Sequence, residues 1–379
     1  MGIYIVQPYD SVDGIAAVSG ISAETIIYDN QLVYPYGLAV GQALYLPSGP
    51  EGAVKVPLVS NGYAYPYISR WVLSQTLPYL SLLSVFSYGF TFEGELLFPS
   101  LDDDWMIEMA LSQGTSPILT LTPLGPNGQF NNSLISSVVR NPQYTQTLIR
   151  QTVAVVQEKG YRGVDIDFEF ILAEDRDLFT EFVRQMADAM HSIGCTLSVA
   201  LAPKTSADQP GVLYEGKDYP ALGAIADYVL LMTYEWGYKY GPNMAVAPLN
   251  KVREVVQYAV SEINPGKIHL GIPNYGYDWP LPFVRGVTVA RTIGNVEAVQ
   301  IAISNGAAIL YDETAQSPYF RYTLDGIEHE VWFEDVRSIQ AKFGLIKEYG
   351  LQGAGYWQIM RWWRANWLLM EDNFYLVRR

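Results

Sequence analysis

The chain has 379 residues, of which 49% are hydrophobic and 17% are charged, a balance that excludes a largely disordered protein. The net charge of −15 at pH 7 argues against nucleic acids and anionic membranes as partners, because phosphates are bound by clustered lysines and arginines. No apolar run approaches the roughly 18–20 residues of a membrane span. No secretory signal is visible at the start of the sequence.

The sequence predicts neither a disulfide nor a metal or cofactor site. Cys195 is the single cysteine, which is usual for a chain made in a reducing compartment. His191, His269 and His329 are scattered and lack the spacing of metal ligands. The 28 tyrosines and 9 tryptophans pack mostly in cores, and they also supply flat faces for sugar rings.

The first segment predicts a small βααβ unit. Residues 3–6 read as a strand, and Asp10 or Ser11 could cap a first helix. Ser22 could cap a second helix, and residues 43–46 read as a closing strand. A run rich in proline, serine and glycine at 47–52 predicts a linker, so this unit is assigned residues 1–48.

The unit resembles a LysM module. The segment Gly41-Gln42-Ala43-Leu44-Tyr45-Leu46-Pro47 matches the closing motif of that family, and Asn30 stands at a frequent asparagine. The resemblance implies binding of N-acetylglucosamine chains such as peptidoglycan or chitin. The implied groove is formed by Asp10, Ser11, Asn30, Gln31, Leu32 and Val33. The alternative is a small domain that only aids folding or assembly.

Residues 49–379 alternate between strand-like and helix-like segments. The strand candidates are 59–67, 80–90, 117–124, 163–171, 196–203, 228–235, 267–277 and 353–359. Amphipathic segments between them, such as 144–159 and 176–193, predict helices. Eight strands alternating with helices predict an α/β protein, a (β/α)8 TIM barrel.

A longer interval interrupts this alternation after the seventh strand. Within about 280–333, residues 295–305 predict a helix, and 308–311, 319–323 and 328–333 predict short strands. We expect a small α+β insertion, which at that end of a barrel would form a wall of the cleft. Glu328-His329-Glu330 is expected to form a solvated strand edge.

The strongest motif is Gly163-Val164-Asp165-Ile166-Asp167-Phe168-Glu169, in which apolar residues alternate with acids. Alternate residues of a strand share a face, so the three acids would project into the barrel, ~6.6 Å apart along the strand. Three acids placed together cannot all ionise cheaply, so some of their pKa values should rise and one acid could donate a proton near neutral pH.

This motif resembles the signature D-G-x-D-x-D-x-E of glycoside hydrolase family 18, with Arg162 in place of the first aspartate. The resemblance implies that Glu169 protonates the glycosidic oxygen and later activates water. It implies that the nucleophile is the substrate's own acetamido oxygen. Asp167 would hold the acetamido N–H, and Asp165 would share a proton with Asp167.

The resemblance extends to the ends of later strands. In Met232-Thr233-Tyr234-Glu235, Tyr234 would donate to the acetamido carbonyl and Glu235, in place of an aspartate, would contact a sugar hydroxyl. Met232 would floor the methyl pocket, unless it is ordinary core. The remaining candidates for the cleft wall are Trp357 under the sugar, Asn274, Tyr275, Phe86 and Tyr88. For Phe86 and Tyr88, core packing is the alternative.

A LysM-like unit joined to such a barrel resembles the spore cortex-lytic glucosaminidases of endospore-forming bacteria. This implies retaining hydrolysis of β-1,4 bonds after N-acetylglucosamine in cortex peptidoglycan, without metal or cofactor. It implies synthesis in the mother cell, a place in the spore, and contact with other spore-coat proteins. The alternatives are a chitinase acting on chitin oligomers and a sugar-binding protein without catalysis.

Overall fold

A computed structural model describes residues 2–47 and 54–378 of the chain. Its first elements are β1 (Gly2–Ile5), α1 (Val12–Ser19), α2 (Ala23–Asp29), β2 (Ala43–Leu46), β3 (Val56–Ala64), α3 (Arg70–Thr76), β4 (Leu82–Phe90), β5 (Leu96–Leu97), α4 (Asp104–Ser112), β6 (Ser116–Leu121), α5 (Ser133–Arg140), α6 (Pro142–Lys159), β7 (Gly163–Ile166) and α7 (Arg176–Ser192). The predicted linker lies outside the described residues, apart from Pro47.

The second half continues in the same alternation and then departs from it. Its elements are β8 (Thr196–Leu201), α8 (Tyr219–Ile225), β9 (Tyr228–Leu231), α9 (Leu249–Glu262), β10 (Ile268–Pro273), β11 (Gly276–Pro280), β12 (Arg291–Ile293), α10 (Asn295–Ser304), β13 (Leu310–Asp312), β14 (Ser317–Leu324), β15 (Ile327–Trp332), α11 (Val336–Tyr349), β16 (Gly353–Trp357), α12 (Arg364–Asn373) and β17 (Phe374–Leu376). No helix of the described ranges has the length and apolar character needed to cross a bilayer.

The N-terminal unit has the predicted βααβ order. Strands β1 and β2 pair antiparallel. Ser11, rather than Asp10, caps α1 by accepting from the Gly14 N–H, and Ser22 caps α2 by accepting from the Thr25 N–H. Asp10 instead accepts from the Tyr4 hydroxyl at 2.8 Å and from the Gln7 N–H at 2.7 Å. Each cap satisfies a backbone donor that the first turn of a helix leaves unpaired.

Eight parallel strands among the described residues, β3, β4, β6, β7, β8, β9, β10 and β16, form a closed barrel, and the pairing of β3 with β4 completes it. The predicted barrel is therefore confirmed. Several strands end earlier than predicted: β7 stops at Ile166 and β9 stops at Leu231. The residues beyond those points lie at the carboxyl-terminal rim, where barrels of this type carry their chemistry.

The outward-facing apolar residues of β7, together with Phe168 just beyond it, are buried in the core around the barrel, as the alternating pattern predicts. Val164 and Ile166 are buried in the main core. Phe168 stacks on Phe182 of α7, with ring centroids 5.7 Å apart, and contacts Phe179 at 5.9 Å. Burial of such large apolar side chains contributes about 1.5–3 kcal/mol each and fixes the acids of the same segment toward the interior.

The insertion is more regular than the sequence predicted. Residues 276–332 contain a five-stranded antiparallel sheet in the order β12-β11-β15-β14-β13. Helix α10 packs on it through Ala298 and Ala302. Two of its strands, β11 and β12, were not predicted. Both are short, and neither has the long apolar run of a core strand.

The prediction of a solvated edge at 328–330 was wrong for two of its three residues. Strand β15 pairs on both sides, with β11 and with β14, so it is internal to the sheet. His329 lies 2.8 Å from Asp278. Glu330 is 4% exposed, and it accepts from the Asn243 amide at 2.6 Å and the Trp332 indole at 2.7 Å.

The N-terminal unit is docked on the barrel through polar contacts. Arg364 of α12 pairs with Asp29 at 2.8 Å and lies 4.3 Å from the centre of the Tyr28 ring. The Tyr45 hydroxyl donates to Asp372 at 2.9 Å. The Ile309 N–H donates to the Val40 carbonyl at 2.8 Å, which connects the unit to the insertion as well.

Candidate active site

The innermost acid of the motif, Asp165, is fully buried within the barrel. The Tyr63 hydroxyl donates to it at 2.9 Å and the Ser198 hydroxyl donates at 2.6 Å, so both carboxylate oxygens are satisfied. Burial raises the pKa of Asp165, whereas the two hydrogen bonds and the Lys217 charge oppose that rise. Tyr63 and Ser198 were not identified from the sequence, because they lie on other strands, β3 and β8.

Asp167 follows the end of β7, and its N–H donates to the Leu121 carbonyl at 2.9 Å. Its Oδ1 atom is buried without a hydrogen-bond partner among the described residues. Burial raises the pKa of Asp167 well above its usual range, and the neighbouring Glu169 and Asp165 raise it further. A carboxyl with a free buried oxygen is suited to accept a hydrogen bond from a substrate N–H.

Glu169 is the acid that reaches the open cleft. Its side chain is exposed to the solvent of the cleft. Loss of solvation raises the pKa of Glu169, and the Lys217 charge lowers it. Glu169 lines two adjoining pockets of about 200 Å³ and 170 Å³, one toward Tyr234 and one toward Phe130. An acid with a raised pKa at the mouth of a pocket is suited to general acid catalysis near neutral pH.

The pocket of about 200 Å³ contains three of the residues predicted from the sixth strand, Met232, Tyr234 and Glu235. Its other lining residues are Glu169, Pro203, Leu213, Tyr214 and Trp236. Burial raises the pKa of Tyr234 well above its usual range, and Asp167 and Glu169 raise it further, so its hydroxyl remains a donor. A Cβ at Gly271 would lie 2.9 Å from the Tyr234 ring, so this ring position requires glycine on β10.

Glu235 is held by two tyrosines of the rim. The Tyr277 hydroxyl donates to it at 2.9 Å, and the Tyr275 hydroxyl makes a second short contact. The backbone of Glu235 has a φ of 68°, in the left-handed region that residues other than glycine rarely adopt. Tyr275, which the sequence placed in the cleft wall, is 4% exposed and acts mainly on Glu235.

Trp357 is the last residue of β16 and is partly exposed. It contacts the edge of Phe86 with centroids 4.8 Å apart and Tyr65 at 6.1 Å. Phe86 and Tyr65 also line a groove of about 490 Å³ that adjoins the pocket of Asp167 and Glu169. The groove is lined by aromatic, proline, leucine, glycine and serine residues and carries no charged side chain.

Two predicted wall residues point elsewhere. Tyr88 is buried on the helix side of the barrel, where its hydroxyl donates to Asp103 at 2.6 Å. The reason is a register irregularity in β4 between Val85 and Tyr88, which places Phe86 and Tyr88 on opposite faces. Asn274 is 4% exposed, and its amide donates to the Gln358 and Arg361 carbonyls, so it holds a loop instead of a sugar.

The predicted glycan groove of the N-terminal unit is also partly occupied. The Asn30 amide donates to the Tyr45 carbonyl at 2.8 Å and the Tyr45 N–H donates back at 2.6 Å. The Gln31 side chain accepts from the Arg364 N–H of the barrel at 2.7 Å, and Leu32 is buried. These three residues therefore stabilise the unit and its docking. Within the predicted groove, Ser11 and Val33 are exposed, and Asp10, Asn30 and Gln31 are partly exposed.

An eight-stranded barrel with an acid at the rim of its fourth strand, beside a tyrosine and a small pocket, defines a class of enzyme that cleaves glycosidic bonds. The sequence profile of glycosyl hydrolases family 18 matches residues 67–361, and the chain belongs to this family. It is a glycoside hydrolase.

Two relatives named for cortex lysis cover the whole chain. The cortical fragment-lytic enzyme of Bacillus subtilis (strain 168) is 39% identical, over 100% of this chain and 99% of that protein. The structure of the Bacillus cereus spore cortex-lytic enzyme SleL is similar with a TM-score of 0.92 at 33% identity, covering 100% of this chain and 99% of that one. A chitinase from Chromobacterium violaceum has a TM-score of 0.77 at 25% identity, covering 83% of this chain and 98% of its own.

Proposed function

We propose that this enzyme hydrolyses the β-1,4 bond after N-acetylglucosamine in spore cortex peptidoglycan or its fragments, with Glu169 as the acid. The observation that supports this most directly is the difference in burial and hydrogen bonding among the three acids of the motif. Asp165 is sealed and fully hydrogen-bonded, Asp167 keeps one buried oxygen free, and Glu169 opens on a pocket shared with Tyr234. Each acid therefore has a different task.

The proposed reaction uses the acetamido group of the substrate. The free oxygen of Asp167 would accept a hydrogen bond from the acetamido N–H, and the Tyr234 hydroxyl would donate one to the acetamido carbonyl. That carbonyl oxygen attacks the anomeric carbon while Glu169 protonates the departing glycosidic oxygen. Glu169 then removes a proton from water, which opens the cyclic intermediate with net retention. Trp357 would lie under the sugar ring.

The choice of polymer is a proposal that rests on relatives named for cortex lysis. A chitinase is the second candidate, and similarity to the Chromobacterium violaceum enzyme supports it. Mass spectra of products from defined cortex fragments and from chitin oligomers decide between them. We expect faster turnover of cortex fragments, with N-acetylglucosamine at the new reducing ends. Faster turnover of chitin oligomers would favour the second candidate.

We further propose that residues 1–48 act as a LysM-type glycan-binding unit of a spore enzyme, in contact with other coat proteins. Besides Val33, the unit presents Tyr9 and Tyr34, which are 104% and 80% exposed. Aromatic faces in solvent are suited to sugar rings. A binding assay on insoluble cortex with Tyr9→Ala and Tyr34→Ala together tests this proposal, which weaker retention supports and unchanged retention refutes.

Tyr234→Phe tests the donor to the acetamido carbonyl. We expect kcat to fall about 10²-fold, the usual effect of removing one aligned donor from a developing charge. Folding should be unaffected, because the ring and its contact with Gly271 remain. Kinetics on cortex fragments measure the effect, and Tyr238→Phe, an exposed tyrosine of the following loop, is the matched control. A wild-type kcat in Tyr234→Phe would remove this residue from the mechanism.

A further inference from the structure

A buried lysine lies behind the acidic motif, in the loop between β8 and α8. Lys217 is 0% exposed. Its neighbour Gly216 approaches the chain that follows β7 so closely that a Cβ there would lie 2.4 Å from the Ile171 carbonyl oxygen. The Lys204 ammonium donates to the Lys217 carbonyl at 3.2 Å and to the Ala207 carbonyl at 3.0 Å. The loop is thus fixed on both sides of Lys217.

The Lys217 ammonium binds backbone at the point where the two acids leave the strand. It donates to the Phe168 carbonyl, which lies between Asp167 and Glu169, and to the Ala200 carbonyl of β8 at 3.3 Å. The pairing of β7 with β8 ends at Ile166 and Val199. Lys217 therefore connects the segment after β7 to β8, just beyond the last residue pair of these two strands.

Lys217 is also the cation of the acidic group. Its charge lowers the pKa of Asp165, of Asp167 and of Glu169, in each case against the effect of burial. Burial in turn lowers the pKa of Lys217 to about 8, and the three acids oppose that change. The other basic group of this loop, the Lys204 ammonium, is directed to backbone carbonyls and does not contribute to the pKa shifts of the acids.

We propose that Lys217 is a positioning residue for hydrolysis, which fixes the peptide between Asp167 and Glu169 and partly compensates their charge. The inference rests on the proposed function of Glu169 as the acid. It predicts that the cation sets the pH at which Glu169 loses its proton. Without the cation the ionised carboxylate is less favourable, so the pKa of Glu169 rises and activity should persist to higher pH.

The test compares Lys217→Met and Lys217→Gln with wild type in kcat and KM across pH on cortex fragments. Lys217→Gln retains an amide donor for the two carbonyls and lacks the charge. In both variants we expect the alkaline limb of kcat/KM to move up by about one pH unit, the smaller end of the effect of a nearby charge. We also expect kcat to fall about tenfold in Lys217→Met, with a smaller change in KM.

Lys267→Met is the matched control. It removes a lysine that also donates to backbone carbonyls, those of Gly223 and Ala226, but lies before β10 at the opposite end of the barrel, so the alkaline limb should stay unchanged. A lower kcat in the Lys217 variants, with the alkaline limb of kcat/KM at its wild-type pH, would overturn the proposal, since it indicates a structural role only. If Lys217→Met does not fold, Lys217→Gln decides alone. An inactive wild type would instead refute the proposed function, and a pH-profile shift in an active enzyme cannot be confused with that result.

Discussion

Glu169→Gln should lower kcat on cortex fragments by about 10²–10⁴-fold, the contribution usual for a positioned general acid. Glutamine has nearly the same shape and cannot donate a proton to the departing oxygen. The open pocket should keep its form, so we expect KM or the dissociation constant of an uncleaved oligosaccharide to change little. Steady-state kinetics and calorimetric titration measure the two effects separately.

Glu174→Gln is the matched control for this change. Glu174 follows the same strand on the surface and pairs with Arg140 at 3.3 Å, with both side chains largely in solvent. Its substitution should leave turnover unchanged. A Glu169→Gln enzyme with wild-type kcat would disprove the assignment of the acid, whereas loss of binding together with turnover would point to a collapsed pocket.

Asp167→Asn should have two opposite effects, a loss of turnover and a gain of stability. We expect kcat to fall by about 10²-fold or more, because the amide cannot balance the positive charge of the cyclic intermediate. We expect the free energy of unfolding at neutral pH to rise, since the neutral amide avoids the cost of ionising a buried carboxyl whose pKa is raised. Catalysis and stability oppose each other at such sites.

The gain in stability should depend on pH in a defined direction. The pKa of Asp167 is higher in the folded chain than in the unfolded chain. The folded state therefore binds more protons, and its stability falls as pH rises through the unfolded value of about 3.9. Thermal unfolding should show no difference between Asp167→Asn and wild type below that pH, and a growing difference above it. Asp188→Asn, an exposed acid on α7, is the control, and an equal gain there would contradict the explanation.

Much of the architecture could be predicted because it follows from local patterns. Alternation of apolar and acidic residues around Asp165 predicted both faces of β7, and the structure places Phe168 on α7 as expected. Ser11 and Ser22 marked the helix starts, since each side chain accepts from a backbone donor of its own first turn. Such signals involve neighbours in the sequence and need no knowledge of the rest of the fold.

The failures involve partners distant in the chain or irregular backbone. Tyr88 follows Phe86 by two residues and would share its face on a regular strand, but an irregularity reverses it. Gln31 looked available for a sugar because its partner, Arg364, lies 333 residues away. Lys217 could not be found from the sequence, since a single lysine in a loop carries no pattern and its role depends on the carbonyl of Phe168, 49 residues earlier in the chain.

The different depths of the three acids affect how protons reach them. Asp165 has no contact with water and is closed off by Tyr63 and Ser198, whereas Glu169 meets the solvent in the cleft. Glu169 regains its proton from the attacking water in each cycle, and it can also exchange that proton with bulk water without a dedicated relay through the protein. A proton held on Asp165 would exchange slowly by comparison, so the inner part of the group keeps a constant charge during turnover.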